Sequence, residues 1–231
     1  FADIDPDTYN IDPQALEKLI TPRTKGVVAV DFTGQSIEQD AVREICRRYG
    51  LTLIEDAAHA IGTRYRGQSV GSMADMTCFS FHPVKTVTAG EGGAVTTNDE
   101  AKYRRLLRLR AHGITRIQEE MIHPSDARWY NEQVELGYNY RMTDMQAALL
   151  CSQLEKLPAF ARRRKEIAAR YDRAFSEMPQ LKVQKEIPES DTVRHLYILR
   201  LNPELLNCDR RAFFDALWAE NICSQVHYLP V

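Results

Sequence analysis

The sequence predicts an α/β fold with an open, mostly parallel sheet, and three neighbouring segments carry this prediction. Gly26–Phe32 (GVVAVDF) is an apolar run of the kind that buried parallel strands show. In Ser36–Tyr49 the apolar positions recur every four residues, which indicates a helix, and Gly50 ends it. Leu51–Asp56 (LTLIED) is the next predicted buried strand. Together they form a β-α-β unit, from which open parallel sheets are built.

Further elements flank this unit on both sides. Asp12 caps a short helix that has Pro13 at its first position, a common helix start. Downstream, Asp75–Phe81 and Gly93–Thr97 are two more predicted strands, and a glycine-rich bend joins them. The predicted sheet therefore extends beyond the β-α-β unit.

The segment after the predicted sheet is expected to contain a helix and then a long loop. Asp99 is a good helix cap and Gly113 a stop signal, so a helix is expected from Asp99 to about His112. Ile114–Leu136 is polar and aromatic, and we expect a long functional loop there.

The last third of the chain is predicted to be a separate α+β part. Thr143 and Gln146 form a capping box that opens a long helical region, which Pro158 breaks or kinks. We therefore divide the chain into a partial large α/β domain at 1–157 and a partial small C-terminal α+β domain at 158–231. The elements predicted after a polar linker at Pro179–Thr192 are strand Val193–Leu201, helix Asp209–Asn221 and strand Cys223–Leu229.

Composition and charge exclude several classes of protein. The chain has 231 residues, of which 44% are hydrophobic and 27% charged, as in globular proteins. A formal net charge of −2 gives no global basic field for nucleic acid or an anionic membrane. No apolar run approaches the ~20 residues of a membrane-spanning helix, and no signal peptide opens the chain. We expect a cytoplasmic protein with neither nucleic acid nor a membrane as partner.

Cysteines and histidines suggest neither a disulfide framework nor a metal site. The five cysteines are odd in number and contain no Cys-x-x-Cys pair, so we expect free thiols, mostly in the core of a protein from a reducing compartment. The six histidines lack metal-ligand spacing, and no metal is predicted. The cysteines are Cys46, Cys78, Cys151, Cys208 and Cys223.

An aspartate and a lysine are predicted to face one crevice. Asp56 ends the predicted strand Leu51–Asp56, and Lys85 lies in the bend that follows Asp75–Phe81. Ligands of open α/β sheets bind beyond the carboxyl ends of the strands, so both side chains could reach one ligand. A structural salt bridge is the alternative interpretation. Pro83 and the nearby glycines favour a rigid mount for an amine nucleophile.

This pair suits one cofactor in particular. A carboxylate at contact distance typically moves the pKa of a cationic partner by ~1–3 units. It can therefore keep a heterocyclic nitrogen protonated, while a lysine amine holds the aldehyde carbon of the same molecule. These are the contributions that a protein makes to pyridoxal 5'-phosphate, which acts as an electron sink.

Three motifs carry a resemblance to a known family. The motifs are LIEDAAHA at Leu53–Ala60, FSFHPVKTVTAGEGGAVTTND at Phe79–Asp99 and LGYNYRMTDMQAAL at Leu136–Leu149. In this order and spacing they resemble the DegT-type sugar-nucleotide aminotransferases, and the resemblance covers nearly the whole chain. It implies the three-layer α/β/α fold of type I pyridoxal-phosphate enzymes, cytoplasmic homodimers with shared active sites, and transamination of a nucleotide sugar.

The resemblance also implies roles for individual residues around the cofactor. Lys85 would be the catalytic residue, binding the cofactor's aldehyde carbon and moving protons. Asp56 would pair with the ring nitrogen, and His59 would contact the edge that carries the 3-hydroxyl. Ser80 would donate its hydroxyl to the cofactor phosphate. A strand-end histidine and a plain strand serine are the structural alternatives for the last two.

More distant positions match the family as well. Asn139 resembles the residue that reaches the phosphate bound by the neighbouring subunit, and Arg141 belongs to the same shared site. His82 and His227 resemble residues near the substrate, although a structural role is an equal alternative for His82 and nearly so for His227. By itself the aromatic and cationic cluster around Arg141 would suggest only an exposed surface patch.

Within the family, four segments (AHGITR, WYNEQVELGYNYRMTD, SQLEKLPAF, QVHYLPV) most resemble the aminotransferase of pseudaminic acid synthesis. The implied substrates are L-glutamate and a UDP-linked 4-keto-6-deoxy N-acetyl sugar, which receives the amino group at C4. Another nucleotide sugar and a non-catalytic, pyridoxal-phosphate-binding domain remain open alternatives. An NAD-dependent sugar oxidoreductase is disfavoured, because neither G-x-G-x-x-G nor Tyr-x-x-x-Lys occurs.

The two ends suggest a piece of a longer protein. The chain starts without Met and stops directly after a predicted strand. In the family, segments before this region cup the cofactor phosphate at a helix N-terminus and stack on its ring. We therefore expect the 231 residues alone to bind pyridoxal phosphate poorly.

Overall fold

A computed structural model describes residues 1–228, in which helices and short strands alternate. The helices are α1 Pro13–Lys18, α2 Gln39–Tyr49, α3 Glu100–Leu109, α4 Asp144–Phe175 and α5 Arg210–Ala219. The strands are β1 Gly26–Val30, β2 Thr52–Asp56, β3 Arg64–Tyr65, β4 Gln68–Ser69, β5 Met76–Ser80, β6 Gly93–Thr96, β7 Ile114–Thr115, β8 Glu132–Gln133, β9 Leu181–Val183, β10 Ser190–Asp191 and β11 Leu199–Leu201. Short 3-10 turns lie at Phe32–Gly34, Gln118–Glu120 and Pro203–Leu205.

The central sheet has the strand order β1-β2-β5-β6. Strands β1, β2 and β5 are parallel, and β6 is antiparallel to β5. In the register Val30 pairs with Asp56, which in turn pairs with Cys78. The carboxyl ends of the parallel strands therefore meet along one edge. The predicted α/β class and mostly parallel sheet are confirmed.

Helix α2 covers one face of this sheet, and the opposite face is more exposed. On the open face Val28 is 64% exposed and Val30 is 42% exposed. The prediction of a fully buried strand is wrong at these two positions, because side chains alternate between the two faces of a strand. The core beneath α2 includes Val27, Ala29, Val42, Ile45, Cys46 and Leu53.

Most predicted helix ends are present. The Asp12 side chain accepts a hydrogen bond from the Gln14 amide at 2.8 Å and starts α1. Gly50 ends α2 in the left-handed conformation, with φ +64°. Thr143 and Gln146 form the predicted capping box of α4. Local signals of this kind act within one turn and so survive the tertiary context.

Helix α4 is continuous through Pro158, so the predicted break at this proline is wrong, while the alternative of a kink stays a prediction. Its neighbours Leu157 and Phe160 pack against the cluster around Phe81, so tertiary contacts hold the helix on both sides of the proline. The expected boundary between residues 157 and 158 falls inside this continuous helix, and the division into two domains stays a prediction.

The C-terminal part differs most from the prediction. Only Leu199–Leu201 of the expected strand Val193–Leu201 is a strand, and it pairs with β9. The residues before Leu199 form hydrogen bonds instead with the turn that follows β1 of the central sheet: the His195 amide donates to Thr33 O at 2.7 Å. Residues 223–228 of the expected last strand are irregular, and Leu229 lies outside the described residues.

Short strand pairings also occur outside the central sheet. The expected loop Ile114–Leu136 contains one short pairing, β7 with β8, and no sequence pattern predicted the three-stranded β10-β3-β4 sheet.

The cysteines are free, but only Cys46 is buried; Cys78 is half-buried and the other three are exposed, so most are not core residues. None of the helices in residues 1–228 has both the length and the apolar character needed to cross a membrane.

Candidate active site

Lys85 lies in a bend whose two ends are joined by hydrogen bonds. The Phe81 amide donates to Gly92 O at 2.8 Å, and the Ala89 amide donates to Phe81 O at 2.9 Å. The Lys85 amide itself donates to His82 O at 3.0 Å. Phe81 and Ala89 are buried in a cluster to which α4 also contributes. The backbone under the lysine is therefore rigid, as expected from the sequence, and its side chain is half-buried.

Two of the glycines after the lysine, Gly92 and Gly93, make close contacts. A Cβ at Gly93 would lie 2.8 Å from Phe79 O, the carbonyl of the neighbouring strand. A Cβ at Gly92 would lie 2.6 Å from the Met142 side chain, which packs on the Lys85 bend. Any larger residue would push β6 or Met142 away from the bend.

Asp56 stands at the carboxyl end of β2, on the face of the sheet opposite to Glu55. Its Oδ1 accepts a hydrogen bond from the Ala58 amide at 3.0 Å. Burial lowers the pKa of Lys85 below its ordinary value, and the nearby Asp56 carboxylate opposes part of that shift. The two side chains are therefore close enough to interact electrostatically.

Three histidines and one phenylalanine form a ring cluster beside this pair. The His59 and His195 rings are 4.6 Å apart between centroids. The Phe32 ring lies 5.2 Å from His227 and 6.1 Å from His59. His227 and His59 meet edge-on at 6.0 Å. The cluster joins the sheet edge to the C-terminal part of the chain.

These histidines are held neutral. Burial, together with the charges of Lys85 and His227, lowers the pKa of His59 to about 4 against the opposing effect of Asp56. Burial and then the neighbouring His59 and Lys85 lower the pKa of His195 to about 3. The pKa of His227 is lowered by burial and by Lys85. Near pH 7 the cluster therefore offers uncharged imidazoles.

Ser80 and His82 flank the start of the bend. Ser80 is the last residue of β5, and its Oγ accepts from the His82 amide at 3.4 Å. Because side chains alternate along a strand, Ser80 and Cys78 lie on the same face as Asp56. The His82 ring is half exposed and lies 3.7 Å from a carboxylate oxygen of Glu91, a surface residue.

Asn139 and Arg141 lie in the segment before α4 and bind to each other. Asn139 pairs with Ala111 in an isolated bridge. The Arg141 Nε donates to Asn139 Oδ1 at 3.1 Å. Both residues are exposed, and within residues 1–228 no hydrogen bond or ion pair joins them to Asp56 or Lys85. Their predicted role in a site shared between subunits stays a prediction.

The sequence reasoning missed His195 and Phe32. His195 is anchored by its backbone, since its amide donates to Thr33 O and its carbonyl accepts from Arg164 at 3.2 Å. The only local signal is a histidine inside an apolar run that resembles a strand. Phe32 follows β1 directly, and the apolar pattern assigns it to that strand. The positions of His195 and Phe32 in the ring cluster depend on contacts between residues far apart in the sequence.

The chemistry of these groups fits pyridoxal phosphate. A carboxylate and an amine interact beyond the carboxyl ends of β2 and β5, and the buried Nδ1 of His59 has no hydrogen-bond partner among the described residues. Such an atom is free to bind a polar substituent of a ligand. Asp56 would hold the ring nitrogen, Lys85 the aldehyde carbon, His59 the 3-hydroxyl edge and Ser80 the phosphate.

Comparison with known proteins also indicates an aminotransferase family. The family model of the DegT/DnrJ/EryC1/StrS aminotransferases matches residues 1–231. The UDP-4-amino-4,6-dideoxy-N-acetyl-beta-L-altrosamine transaminase of Campylobacter jejuni (strain 81-176) is 39% identical over 224 residues, which cover 96% of this chain and 57% of the relative. The chain spans between 56% and 60% of the length of the curated relatives it matches.

Solved structures share the fold. Helicobacter pylori PseC, an aminotransferase involved in the biosynthesis of pseudoaminic acid, superposes with a TM-score of 0.90 at 35% identity, covering 100% of this chain and 59% of PseC. The PLP form of Streptococcus pneumoniae Spr1654 superposes with a TM-score of 0.84 at 31% identity, covering 98% of this chain and 60% of Spr1654.

Proposed function

Since the chain belongs to the DegT/DnrJ/EryC1/StrS aminotransferase family, we propose that the complete protein is a pyridoxal-phosphate-dependent sugar-nucleotide aminotransferase. The observation that carries this proposal is the Asp56–Lys85 pair at the carboxyl edge of the sheet, with the unpartnered nitrogen of His59 beside it. No salt bridge joins Asp56 and Lys85 among the described residues, and one would also leave a neutral histidine with a free nitrogen at the same place unexplained.

Each side chain has a defined task in this reaction. When bound, pyridoxal phosphate supplies the electron sink for the chemistry. Lys85 Nζ takes and returns the proton at the reacting carbon, and its lowered pKa leaves more of the amine neutral for this role. Asp56 keeps the proton on the ring nitrogen. His59 stays uncharged, so it can bind the neighbouring oxygen without adding a second positive charge beside Lys85.

The substrates we propose are L-glutamate and a UDP-linked 4-keto-6-deoxy N-acetyl sugar. Glutamate gives its amino group and leaves as 2-oxoglutarate, and the C4 ketone of the sugar becomes an amine. The similarity to PseC and to the altrosamine transaminase supports this sugar class. His82 and His227 are proposed to face the sugar, and the packing of His227 on Phe32 supports this for His227.

A homodimer belongs to the same proposal. The exposed Asn139 and Arg141 would reach the cofactor of the neighbouring subunit, and their exposure supports such a role. The division at residues 157 and 158 and the cytoplasmic location also remain part of the proposal.

The test is a coupled assay of the complete protein. It is incubated with pyridoxal phosphate, glutamate and a panel of UDP-4-keto-6-deoxy N-acetyl sugars, and the aminated sugar is identified by mass spectrometry. We expect Lys85→Ala to lower turnover by at least ~10³-fold, because it removes both the covalent link and the proton carrier. It should also remove the visible absorbance band of the lysine-bound cofactor.

Lys165→Ala is the matched control, since this lysine pairs with Asp191 on the surface and should leave turnover unchanged. If Lys85→Ala keeps both the band and the turnover, Lys85 does not have this role. Amination of a different nucleotide sugar would keep the enzyme class and change the substrate. Cofactor binding without any turnover would favour a non-catalytic domain.

A further inference from the structure

We propose that Asp31 and Glu55 form a buried carboxyl pair that shares one proton and positions the ring cluster of the candidate active site. The positioning part of this inference rests on the proposed function. The shared proton is a property of the fold and can be tested without any substrate or cofactor.

The pair lies on the face of the sheet that α2 covers. Asp31 and Glu55 are both 0% exposed, and so are the polar residues Gln39 and Thr77 around them. Glu55 accepts a hydrogen bond from Gln39 Nε2 through one oxygen and from Thr77 Oγ1 at 2.8 Å through the other. Asp31 Oδ1 accepts from the Ile37 amide at 2.9 Å.

The hydrogen-bond pattern points to a proton between the two acids. Asp31 Oδ2 is buried and has no donor among the described residues. Asp31 directly follows Val30, which pairs with Asp56, so its carboxyl lies on the same buried face as Glu55, and the two groups interact. Two ionised carboxylates this close cannot both be buried without a cation or a proton, because each would repel the other in a medium of low polarity. A proton on Asp31 turns Oδ2 into a donor to Glu55 and leaves one negative charge on the pair.

Within residues 1–228 no cation neutralises the pair. The charged groups that act on the Asp31 carboxyl are Glu55 and Asp56, both from β2. The neighbours from α2 and β5 are the uncharged Gln39 and Thr77. Burial first, and then the charge of Glu55, raise the pKa of Asp31 well above its usual range.

The turn that follows Asp31 links this pair to the active site. Through Ile37 the carboxyl holds the two ends of residues 31–37 together. This turn contains Phe32, which packs on His59 and His227, and Thr33, whose carbonyl receives the His195 amide. The Asp31 amide also donates to Asp56 O at 3.0 Å. Asp31 is therefore a positioning residue, one layer below the groups that would touch the cofactor.

The shared proton has a measurable signature. A carboxyl with a raised pKa keeps a proton in the folded state that the unfolded state has released above about pH 4. Stability must then fall as the pH rises, and the unfolding constant should increase by up to about tenfold per pH unit. Asp31→Asn removes this dependence, because its amide hydrogens replace the shared proton while its oxygen still accepts from Ile37.

The first experiment measures denaturant unfolding of the complete protein between pH 5 and pH 8. We expect the unfolding constant of Asp31→Asn, relative to the wild type, to fall as the pH rises, with a slope approaching tenfold per pH unit. Taking this ratio cancels the contribution of the other titrating groups. Glu55→Gln should remove the same slope. Equal slopes in the wild type and both variants would overturn the shared proton.

The second experiment reads the position of the rings directly, by NMR of ¹³C-labelled histidine in the cofactor-free complete protein. Asp31→Ala should shift or broaden the His59 and His195 resonances, and Asp31→Asn should restore them. We also expect the alanine variant to bind pyridoxal phosphate ~10- to 100-fold more weakly, since misplaced site groups typically cost that much.

Asp75→Ala is the matched control. Its carboxylate also accepts an amide of β2, from Leu53 at 2.8 Å, but at the opposite edge of the sheet. It should destabilise the fold and leave the two histidine resonances in place. If Asp31→Ala fails to fold, the histidine resonances are measured in Asp31→Leu, whose larger side chain leaves little void. Unchanged resonances in the Asp31 variant would overturn the positioning role, whereas absence of cofactor binding by the wild type would refute only the proposed function.

Discussion

The Asp56 carboxylate has two separate effects at the scale of single residues. It opposes the effect of burial on the pKa of Lys85, and it raises the pKa of His59 against stronger opposing influences. One charge therefore favours the protonated form of the Lys85 amine without charging the histidine. The difference arises because His59 is more strongly influenced by its own burial and by Lys85.

Replacing this charge should impair the reaction without unfolding the protein. Asp56→Asn keeps an oxygen for the Ala58 amide but loses the negative charge beside the ring nitrogen. Because an opposite charge at contact shifts a pKa by ~1–3 units, we expect turnover to fall by about 10- to 1000-fold. Steady-state kinetics of the complete protein would measure it.

Asp75→Asn is the control for Asp56→Asn, since it removes a charge from the opposite edge of the same sheet. Its turnover should stay near that of the wild type. Should Asp56→Asn retain full turnover at all pH values, the pairing of Asp56 with the cofactor ring would have to be abandoned.

At the scale of elements, the turn after β1 is the point where the C-terminal part of the chain binds to the sheet. Gly34 has φ +102°, and a Cβ there would lie 2.3 Å from Val193 O and 3.0 Å from His59 O. Thr63 reinforces the contact, because its hydroxyl donates to Gly34 O at 2.7 Å and accepts from the Val193 amide at 2.8 Å. The segment before β11 uses its hydrogen bonds here and so cannot form the predicted strand.

Gly34→Ala should therefore disrupt this contact. A left-handed conformation costs a non-glycine residue ~1–2 kcal/mol, and the clash with backbone atoms adds to it. Gly67→Ala is the matched control, because Gly67 has φ +79° but no described atom within 4 Å of the place that a Cβ would take. We expect Gly34→Ala to lower the free energy of unfolding by at least ~1 kcal/mol more than Gly67→Ala, as measured by denaturant unfolding. Equal losses would mean that the Gly34 contact is dispensable.

Across the whole molecule, buried titratable groups make stability depend on pH in two opposite directions. His59 and His195, with pKa values of about 4 and about 3, stay neutral in the folded protein. Below about pH 6.5 the unfolded chain binds protons that the folded chain does not, so stability falls as the pH falls. The Asp31–Glu55 pair acts in the other direction as the pH rises.

Mutation can separate the contribution of the histidines to the pH dependence of stability from that of the Asp31–Glu55 pair. His195→Gln should weaken the loss of stability between about pH 6.5 and pH 4, because one group that must lose its proton on folding is gone. His123→Gln, on the exposed loop before β8, should leave the profile unchanged. Thermal melting of the complete protein across this range is the measurement. An identical acid profile for His195→Gln and the wild type would show that His195 is not neutral and buried as described.

The β-α-β unit, the helix caps at Asp12 and Thr143, and the placement of Asp56 and Lys85 at one edge of the sheet could all be predicted from the sequence. Each of these depends on periodicity, on one helical turn or on the shared edge of parallel strands, and such signals are local or follow from topology.

The rest of the site depends on tertiary contacts. The contacts of His195 with His59 and Thr33 join residues more than 130 positions apart, and no local pattern encodes them. The adjacent residues Glu55 and Asp56 also lie in different environments: Glu55 lies under α2 and Asp56 on the opposite face, because neighbouring side chains of a strand face opposite sides of the sheet. Which face became the core and which one carries Asp56 depended on where α2 packed.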